Sequence, residues 1–258
     1  MGKALFSVEN ITMQFGGLTA VDSFQMSMEE GQLLGLIGPN GAGKTTVFNM
    51  ITGVYTPTKG KILLNGEDIT GLKPYQISEK GIARTFQNIR LFKDLTVLEN
   101  VLIGSDQHIQ YGLIRTVLRL PSFFKEEIQA KEKAMSLLSI FNLQDKADWL
   151  ASNLPYGDQR KLEIVRALAT NPKIILLDEP AAGMNHAETE KLMDLIAKIR
   201  KDFKLTVLLI EHDMKLVMGI CERIFVLDHG EKIAEGNAES IQNNSKVIEA
   251  YLGVDIED

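Results

Sequence analysis

Cysteine is nearly absent: Cys221 is the one thiol in 258 residues. No internal disulfide can form, so no crosslink contributes to stability, and the composition fits a reducing compartment. Cys221 sits in an apolar stretch and reads as a small core residue. Blocks of basic charge are missing as well, with 28 Lys and Arg against 34 Asp and Glu and a net charge of −6. Sequence-independent nucleic-acid binding rests on clustered Lys and Arg, so no nucleic-acid partner is expected. No run approaches the roughly 18 apolar residues of a membrane span, and any membrane role must come through a partner. The apolar stretch between Lys3 and Glu9 is too short for a signal-peptide core. Phe6 stands where a myristoylation signal at Gly2 needs Ser or Thr. Repeats and low-complexity segments are lacking too. What remains is 45% hydrophobic, enough for a sizeable core in one domain or one and a half.

One stretch organises the rest. Gly38-Pro39-Asn40-Gly41-Ala42-Gly43-Lys44-Thr45 has the pattern G-x-x-x-x-G-K-[ST] of a phosphate-binding loop. The apolar run Leu33–Ile37 enters it as a buried strand, and Thr46–Ile51 leaves it with helical spacing. Glycines allow backbone N–H groups to converge on phosphate oxygens, and the helix start adds partial positive charge. Lys44 can reach the β- and γ-phosphates, and the Thr45 hydroxyl can ligate Mg²⁺.

Around that loop the chain reads as mixed β and then as α/β. Leu5–Phe15 and Ala20–Met28 alternate loosely and are joined by the turn signal Gly16-Gly17. Gly53 is a helix stop, Pro57 and Gly60 mark a turn, and Lys61–Leu64 is a strand ending in the hairpin turn Asn65-Gly66. A short helix is expected over 74–81 and a strand over Ile82–Phe86, ending at Gln87. Thr96 with Glu99 three residues on is a capping-box pattern that opens a helix. Residues 105–150 change character: Gly112-Leu113 and Pro121-Ser122 are breaks, and from Lys125 the apolar residues recur at helical spacing. This segment reads as a helical insertion closed by Trp149, a packing residue. From Asp158 come a helix to 170, a strand Ile174–Leu177, a helix His186–Lys201 and a strand Leu205–Ile210. A helix Met214–Cys221, a strand Ile224–Leu227, a final strand Glu231–Glu235 and a terminal segment Ile241–Leu252 follow. The alternation implies a parallel sheet covered on both faces.

The second chemical signal is Ile174-Ile175-Leu176-Leu177-Asp178-Glu179, a buried strand with two acids at its carboxyl end, where open α/β sheets bind ligands. Asp178 suits a Mg²⁺ shell, and Glu179 suits a general base or a water-orienting group. With this pair beside the phosphate loop, the chain resembles the nucleotide-binding subunits of ABC transporters over nearly its whole length. The resemblance makes Gly38–Thr45, with Thr46 beside it, the Walker A motif, and Ile174–Glu179 the Walker B motif. It implies an α/β P-loop ATPase fold with a mixed or parallel sheet core, an N-terminal antiparallel β part and a helical subdomain, using ATP and Mg²⁺. Gln87, in Arg84-Thr85-Phe86-Gln87-Asn88, matches the family glutamine that ligates Mg²⁺ and touches the transmembrane partner. His212, in Ile210-Glu211-His212-Asp213, matches the histidine that contacts the γ-phosphate. Phe15 matches the aromatic that stacks on adenine. Taken singly, Phe15 would be a core residue, and Gln87 and His212 locally satisfied loop residues.

The family's Leu-Ser-Gly-Gly-Gln signature is replaced by Leu154-Pro155-Tyr156-Gly157-Asp158. In the family this segment presents a helix start to the γ-phosphate held by the other subunit, which assigns Tyr156, Gly157 and Asp158 to nucleotide contact. Pro155 lacks both the serine hydroxyl and an N–H, so one polar contact is expected to be missing. Asn185 stands where the family usually has an aspartate. The Tyr-Gly pair, Glu179-Pro180-Ala181-Ala182-Gly183-Met184-Asn185, the residues around Gln87 and the ending through Leu252-Gly253 resemble the ATPase subunits of high-affinity branched-chain amino acid importers. The segment at 105–125 resembles the larger of the two such subunits. Related subunits serve urea import and lipopolysaccharide export. Soluble ABC ATPases acting on ribosomes or DNA usually carry two cassettes, a coiled-coil insertion or a basic extension, features not seen in this sequence.

The resemblance implies one nucleotide-binding domain over 1–258. Residues 1–87 and 166–258 would form its catalytic core with the β part, 88–165 its helical subdomain, and 238–258 a C-terminal helical tail. The implied partners are transmembrane permeases, a second ATPase subunit (a heterodimer or a homodimer) and, indirectly, a periplasmic or extracellular binding protein. The implied location is peripheral, on the cytoplasmic face of the membrane.

Overall fold

The computed structural model describes residues 4–105 and 121–252. The Gly112-Leu113 break, most of the segment at 105–125, Gly253 and the Met1-Gly2 pair lie outside the described residues. The chain divides into two compact units, one of Met1–Arg84 with Lys173–Asp258 and one of Thr85–Pro172.

The first unit holds two sheets. Strands β1 (Phe6–Phe15) and β2 (Leu18–Met28) pair antiparallel across the glycine turn, and β4 (Lys59–Leu64) and β5 (Glu67–Asp68) extend them in the order β2-β1-β4-β5. Asn65 and Gly66 make the expected hairpin turn, with φ of +52° and +81°. Gly60 lies inside β4 rather than in a turn before it. It sits at φ +88° against an irregularity in β1, where a Cβ would stand 2.4 Å from the Asn10 carbonyl oxygen.

The second sheet runs β10-β9-β3-β8-β7-β6, comprising Glu231–Gly236, Arg223–Asp228, Leu33–Ile37, Thr206–Ile210, Ile174–Asp178 and Ile82–Arg84. All neighbours are parallel except β10, which pairs antiparallel with β9. β3, β7 and β8 are buried at every residue, which is why they read as unbroken apolar runs. Helix α1 (Lys44–Ile51) follows β3 and packs Val47, Phe48, Met50 and Ile51 into a core shared with Phe6, Phe24 and Phe225. Its last turn ends at Gly53 (φ +72°). α2 is Pro74–Glu79.

In the second unit, α3 (Val97–Ser105) opens with the expected capping box: the Glu99 amide donates to Thr96 Oγ1 at 3.1 Å, and the Thr96 amide donates to Glu99 Oε2 at 2.7 Å. α4 spans Pro121–Ile140 and begins at the expected Pro121-Ser122 break, a position that costs proline nothing. α5 spans Tyr156–Ala169 and starts two residues before the expected Asp158, because Pro155 takes the N-cap position. Trp149 departs from its expected packing role. Its backbone is tied by the Val97 and Lys146 hydrogen bonds, but the residue is 49% exposed, with the Lys146 ammonium 5.7 Å from the ring centroid. Returning to the first unit, α6 (His186–Asp202), α7 (Met214–Ile220), α8 (Ala238–Gln242) and α9 (Ser245–Leu252) complete the chain. Among the described residues no helix is long and apolar enough to cross a membrane.

Candidate active site

The carboxyl ends of β3, β7 and β8 lie side by side, and each carries part of the site. After β3 the loop turns through Gly38, Gly41 and Gly43 at φ of +151°, +82° and +101°. Gly38 is indispensable on steric grounds, since a Cβ there would lie 2.0 Å from the Leu227 carbonyl oxygen. The loop is braced from inside by the Ala42 amide donating to the Pro39 carbonyl (3.2 Å) and from β10's side by the Gly230 amide donating to the Ala42 carbonyl (3.0 Å). Asn40, Gly41 and Thr45 are exposed, Pro39, Gly43 and Thr46 half-buried, and Ala42 and Lys44 buried. Gly43 caps α1 without a side chain, which leaves the first turn's amides facing outward. The Lys44 ammonium folds back onto the loop and donates to the carbonyls of Gly38 (2.7 Å) and Pro39 (2.8 Å). Burial pushes its pKa down, and the charges of Glu179 and Asp178 pull it up.

Asp178 closes β7 and is 2% exposed. Glu179 follows it in the left-handed region, φ +48°, a strained setting for a glutamate. Its amide donates to the Ile210 carbonyl at 2.9 Å, which locks it to the end of β8. There His212 Nε2 meets Glu179 Oε1 at 2.7 Å. The structure thus brings Lys44, Asp178, Glu179 and His212 into one neighbourhood. Glu211, between β8 and His212, is 3% exposed and accepts the amides of Ala181 (2.8 Å) and His212 (3.0 Å). Burial raises its pKa, with these amides opposing. Phe15 ends β1, is 43% exposed and packs edge-on against Tyr55 with the ring centroids 5.3 Å apart.

In the second unit, Gln87 lies exposed in a loop whose backbone is gripped by α5. Arg160 donates to the carbonyls of Phe86 (2.8 Å) and Gln87, and Glu163 accepts the amides of Arg90 (3.2 Å) and Phe86 (3.4 Å). Glu163 is 2% exposed, and burial raises its pKa against the Arg90 amide and the Arg160 charge. The start of α5 presents Tyr156 and Gly157, while the Asp158 amide is taken by the Pro155 carbonyl at 3.0 Å. The Tyr156 hydroxyl accepts from Arg160 Nη2 at 2.9 Å. The Asp158 carboxylate is held by Lys146 (2.5 Å) and Lys161 (2.8 Å); partial burial raises its pKa, and these bonds outweigh that and lower it.

Several residues that the motifs do not name are built into these surroundings. In the first unit they are Glu211, Tyr55 and Tyr251 of α9, whose phenol receives the Gly38 amide and whose pKa burial raises; in the second, Arg160 and Glu163 hold the Gln87 loop. Glu163 precedes the apolar pair Ile164-Val165 and Glu211 follows the apolar run Val207–Ile210, and an acid that is buried beside such a run must find donors.

Comparison with known proteins places the chain. A sequence model described as "ABC transporter" matches residues 21–182, and one described as "Branched-chain amino acid ATP-binding cassette transporter" matches residues 231–257. The high-affinity branched-chain amino acid transport ATP-binding protein LivG of Escherichia coli (strain K12) is 49% identical over 253 residues, 98% of this chain and 99% of the relative. BraF of Pseudomonas aeruginosa, which bears the same description, is also 49% identical over 253 residues, again 98% and 99% of the two chains. A crystal structure of the ADP conformation of an ATP-binding cassette of an ABC transporter superposes with a TM-score of 0.84 at 33% identity, covering 97% of this chain and 99% of that one. Half the residues kept over nearly the full length of both partners cannot come from a shared loop motif alone, and the chain belongs to the ABC transporter family of ATP-binding subunits.

Proposed function

We propose that this chain binds and hydrolyses ATP to power an importer of branched-chain amino acids, working against transmembrane permeases at the cytoplasmic face of a membrane. The observation that carries the reading is the row of strand ends: a phosphate loop on β3, and Glu179 bonded to His212 at 2.7 Å across the ends of β7 and β8. The cargo is supported by the family match at 231–257 and by the similarity to LivG and BraF.

In this reading the amides of Asn40, Gly41 and Gly43–Thr46 and the Lys44 ammonium bind the phosphates, and Phe15 stacks on adenine. Glu179 takes the proton from the attacking water, and His212 orients Glu179 and contacts the γ-phosphate. Mg²⁺ would be held by Thr45, Asp178 and Gln87. These are hard oxygen donors, and among the described residues no group of three or more His, Cys, Asp or Glu could hold a metal. A site with few protein ligands, completed by phosphates and water, fits Mg²⁺. When bound, the ion neutralises charge on the phosphate oxygens. The residues at 1–87 and 166–258 serve as the catalytic core, those at 88–165 as the helical subdomain and those at 238–258 as a C-terminal tail. Tyr156, Gly157 and Asp158 face the nucleotide of a second ATPase subunit.

Pro155 favours a heterodimer. In a homodimer both composite sites would receive a signature without the serine hydroxyl. With a different partner, this chain's Lys44, Asp178 and Glu179 would face the partner's signature. The test is to purify the transporter with its permeases, count ATPase chains by mass, and measure hydrolysis stimulated by binding protein loaded with leucine, isoleucine or valine. A coupled complex holding two copies of this chain and no other ATPase refutes the heterodimer. Stimulation by urea, or coupling to lipopolysaccharide release and not to these amino acids, refutes the cargo.

A further inference from the structure

Arg84 opens the stretch that contains Gln87 and is given no role there, yet its side chain is tied both to Asp178 and to α1. It is the last residue of β6, in parallel register with Leu176 of β7. Its side chain is 6% exposed and its partner's 2%. Nη2 donates to Asp178 Oδ2 at 2.7 Å, and Nη1 donates to Asn49 Oδ1 at 2.7 Å and Thr52 Oγ1 at 3.2 Å. The guanidinium carbon lies 5.4 Å from the centre of the Phe48 ring. Phe48, Asn49 and Thr52 fall on one face of α1, the helix that begins with Lys44 and Thr45. One rigid fork therefore joins the strand bearing Asp178 to the helix bearing Thr45.

We propose that Arg84 is the positioning residue for the metal half of the site, fixing the Asp178 carboxylate against α1 so that Asp178 and Thr45 meet Mg²⁺–ATP as a pre-set pair. The inference rests on the reading of Asp178 as a Mg²⁺ ligand. A carboxylate this buried is costly without a counter-ion, and an arginine supplies a charge that never titrates away. The fork engages Oδ2 and so anchors that carboxylate oxygen beside α1. A lysine would keep the charge but could not reach Asp178 and Asn49 with two rigid donors. Partners of metal ligands commonly contribute about 10–100-fold to metal affinity.

The experiment is to titrate Mg²⁺ into the full chain with a fluorescent ATP analogue, reading nucleotide binding and not turnover. Arg84→Met is expected to raise the Mg²⁺ concentration at half-saturation by about tenfold or more, with nucleotide binding in excess chelator unchanged. Arg84→Lys is expected to fall between Arg84→Met and the natural chain. Asp178→Asn, run in parallel, should abolish most of the Mg²⁺ dependence. If Asp178→Asn behaves as the natural chain, the metal reading itself fails. If Asp178→Asn shifts and Arg84→Met does not, the role of Arg84 is overturned while that reading stands. Should Arg84→Met not fold, Asn49→Ala, which removes one tie and leaves the ion pair, is expected to raise the Mg²⁺ midpoint severalfold, and an unchanged midpoint there overturns the proposal.

Discussion

Gly38 is buried at φ +151°, and a methyl group added to it would stand 2.0 Å from the Leu227 carbonyl oxygen, 3.0 Å from the Leu227 carbonyl carbon and 3.1 Å from Ala42 Cβ. Side-chain carbons rarely approach closer than about 3 Å, so in Gly38→Ala either β9 or the phosphate loop must move by about 1 Å. Both obstacles to accommodation are backbone or packed core, with no flexible side-chain end to swing aside. Forcing an alanine into this backbone region costs about 1–3 kcal/mol, and overpacking adds about 1–3 kcal/mol more. Gly41→Ala is the internal control: Gly41 has φ +82° and nothing within 4 Å of a built Cβ, so it carries the conformational cost alone. At about 2–4 °C per kcal/mol for a chain of this size, Gly41→Ala should lower the melting temperature by about 2–12 °C and Gly38→Ala by about 2–12 °C more than that. The Gly38 carbonyl also accepts Lys44 Nζ at 2.7 Å, so the displacement drags the ammonium with it. A shift of about 1 Å at a positioning group can reduce turnover by about 100-fold. Thermal melts with a nucleotide titration on both variants check this. Equal melting shifts for the two would refute the steric argument.

The remaining predictions concern single side chains. Glu179→Gln keeps the shape of the side chain at its strained backbone position and removes its basicity; the variant should bind ATP, hydrolyse it at least about 100-fold more slowly and accumulate as a closed dimer. Wild-type turnover would show that Glu179 is not the base. Lys44→Ala removes the buried ammonium and should lose ATP affinity, hydrolysis or both, which a titration and a turnover assay measure together. Burial pushes the Cys221 thiol from 9.0 to about 12. At pH 8 its thiolate fraction then falls about 1,000-fold below that of an ordinary thiol, so iodoacetamide should label the chain only after denaturation; prompt labelling of the native chain would contradict the burial.

The parts of the fold that were legible in the sequence are those where one segment determines its own fate. β3, β7 and β8 are buried on both faces, so each appears as a contiguous apolar run, and the polar residues that end each run are the ones at the sheet's carboxyl edge. Lys44 is found from its spacing to the loop glycines, and the Thr96–Glu99 cap from a local pattern. What escaped depends on segments distant in the chain. Arg84 lies 94 residues from Asp178, and nothing in the stretch around it points to that partner. The expected strand Ile82–Phe86 stops at Arg84, and the Phe86 amide turns to Glu163, a helix residue 77 positions on. Trp149 misled for a related reason. Its composition argues for packing, but the hydrogen bonds that fix this corner run through its backbone, and about half of the residue stays exposed.

The charge arrangement around the strand ends bears on how nucleotide would enter. Asp178 is paired with Arg84, Glu179 with His212, and Glu211 with the amides of Ala181 and His212. Lys44, whose nearest acids are already matched in this way, spends its donors on two neutral carbonyls of its own loop. Burial holds its pKa down, so it bears a desolvation cost that these carbonyls only partly offset. A polyphosphate brings anionic acceptors, and a hydrogen bond to a charged group is worth about 1.5–3 kcal/mol against about 0.5–1.5 for a neutral one. Moving the ammonium from the loop carbonyls to phosphate is therefore favourable. It also vacates the Gly38 and Pro39 carbonyls, which then need other donors or water. Binding on this account is an exchange of partners within a preformed loop, driven by the gain at Lys44 and not by the assembly of a new site.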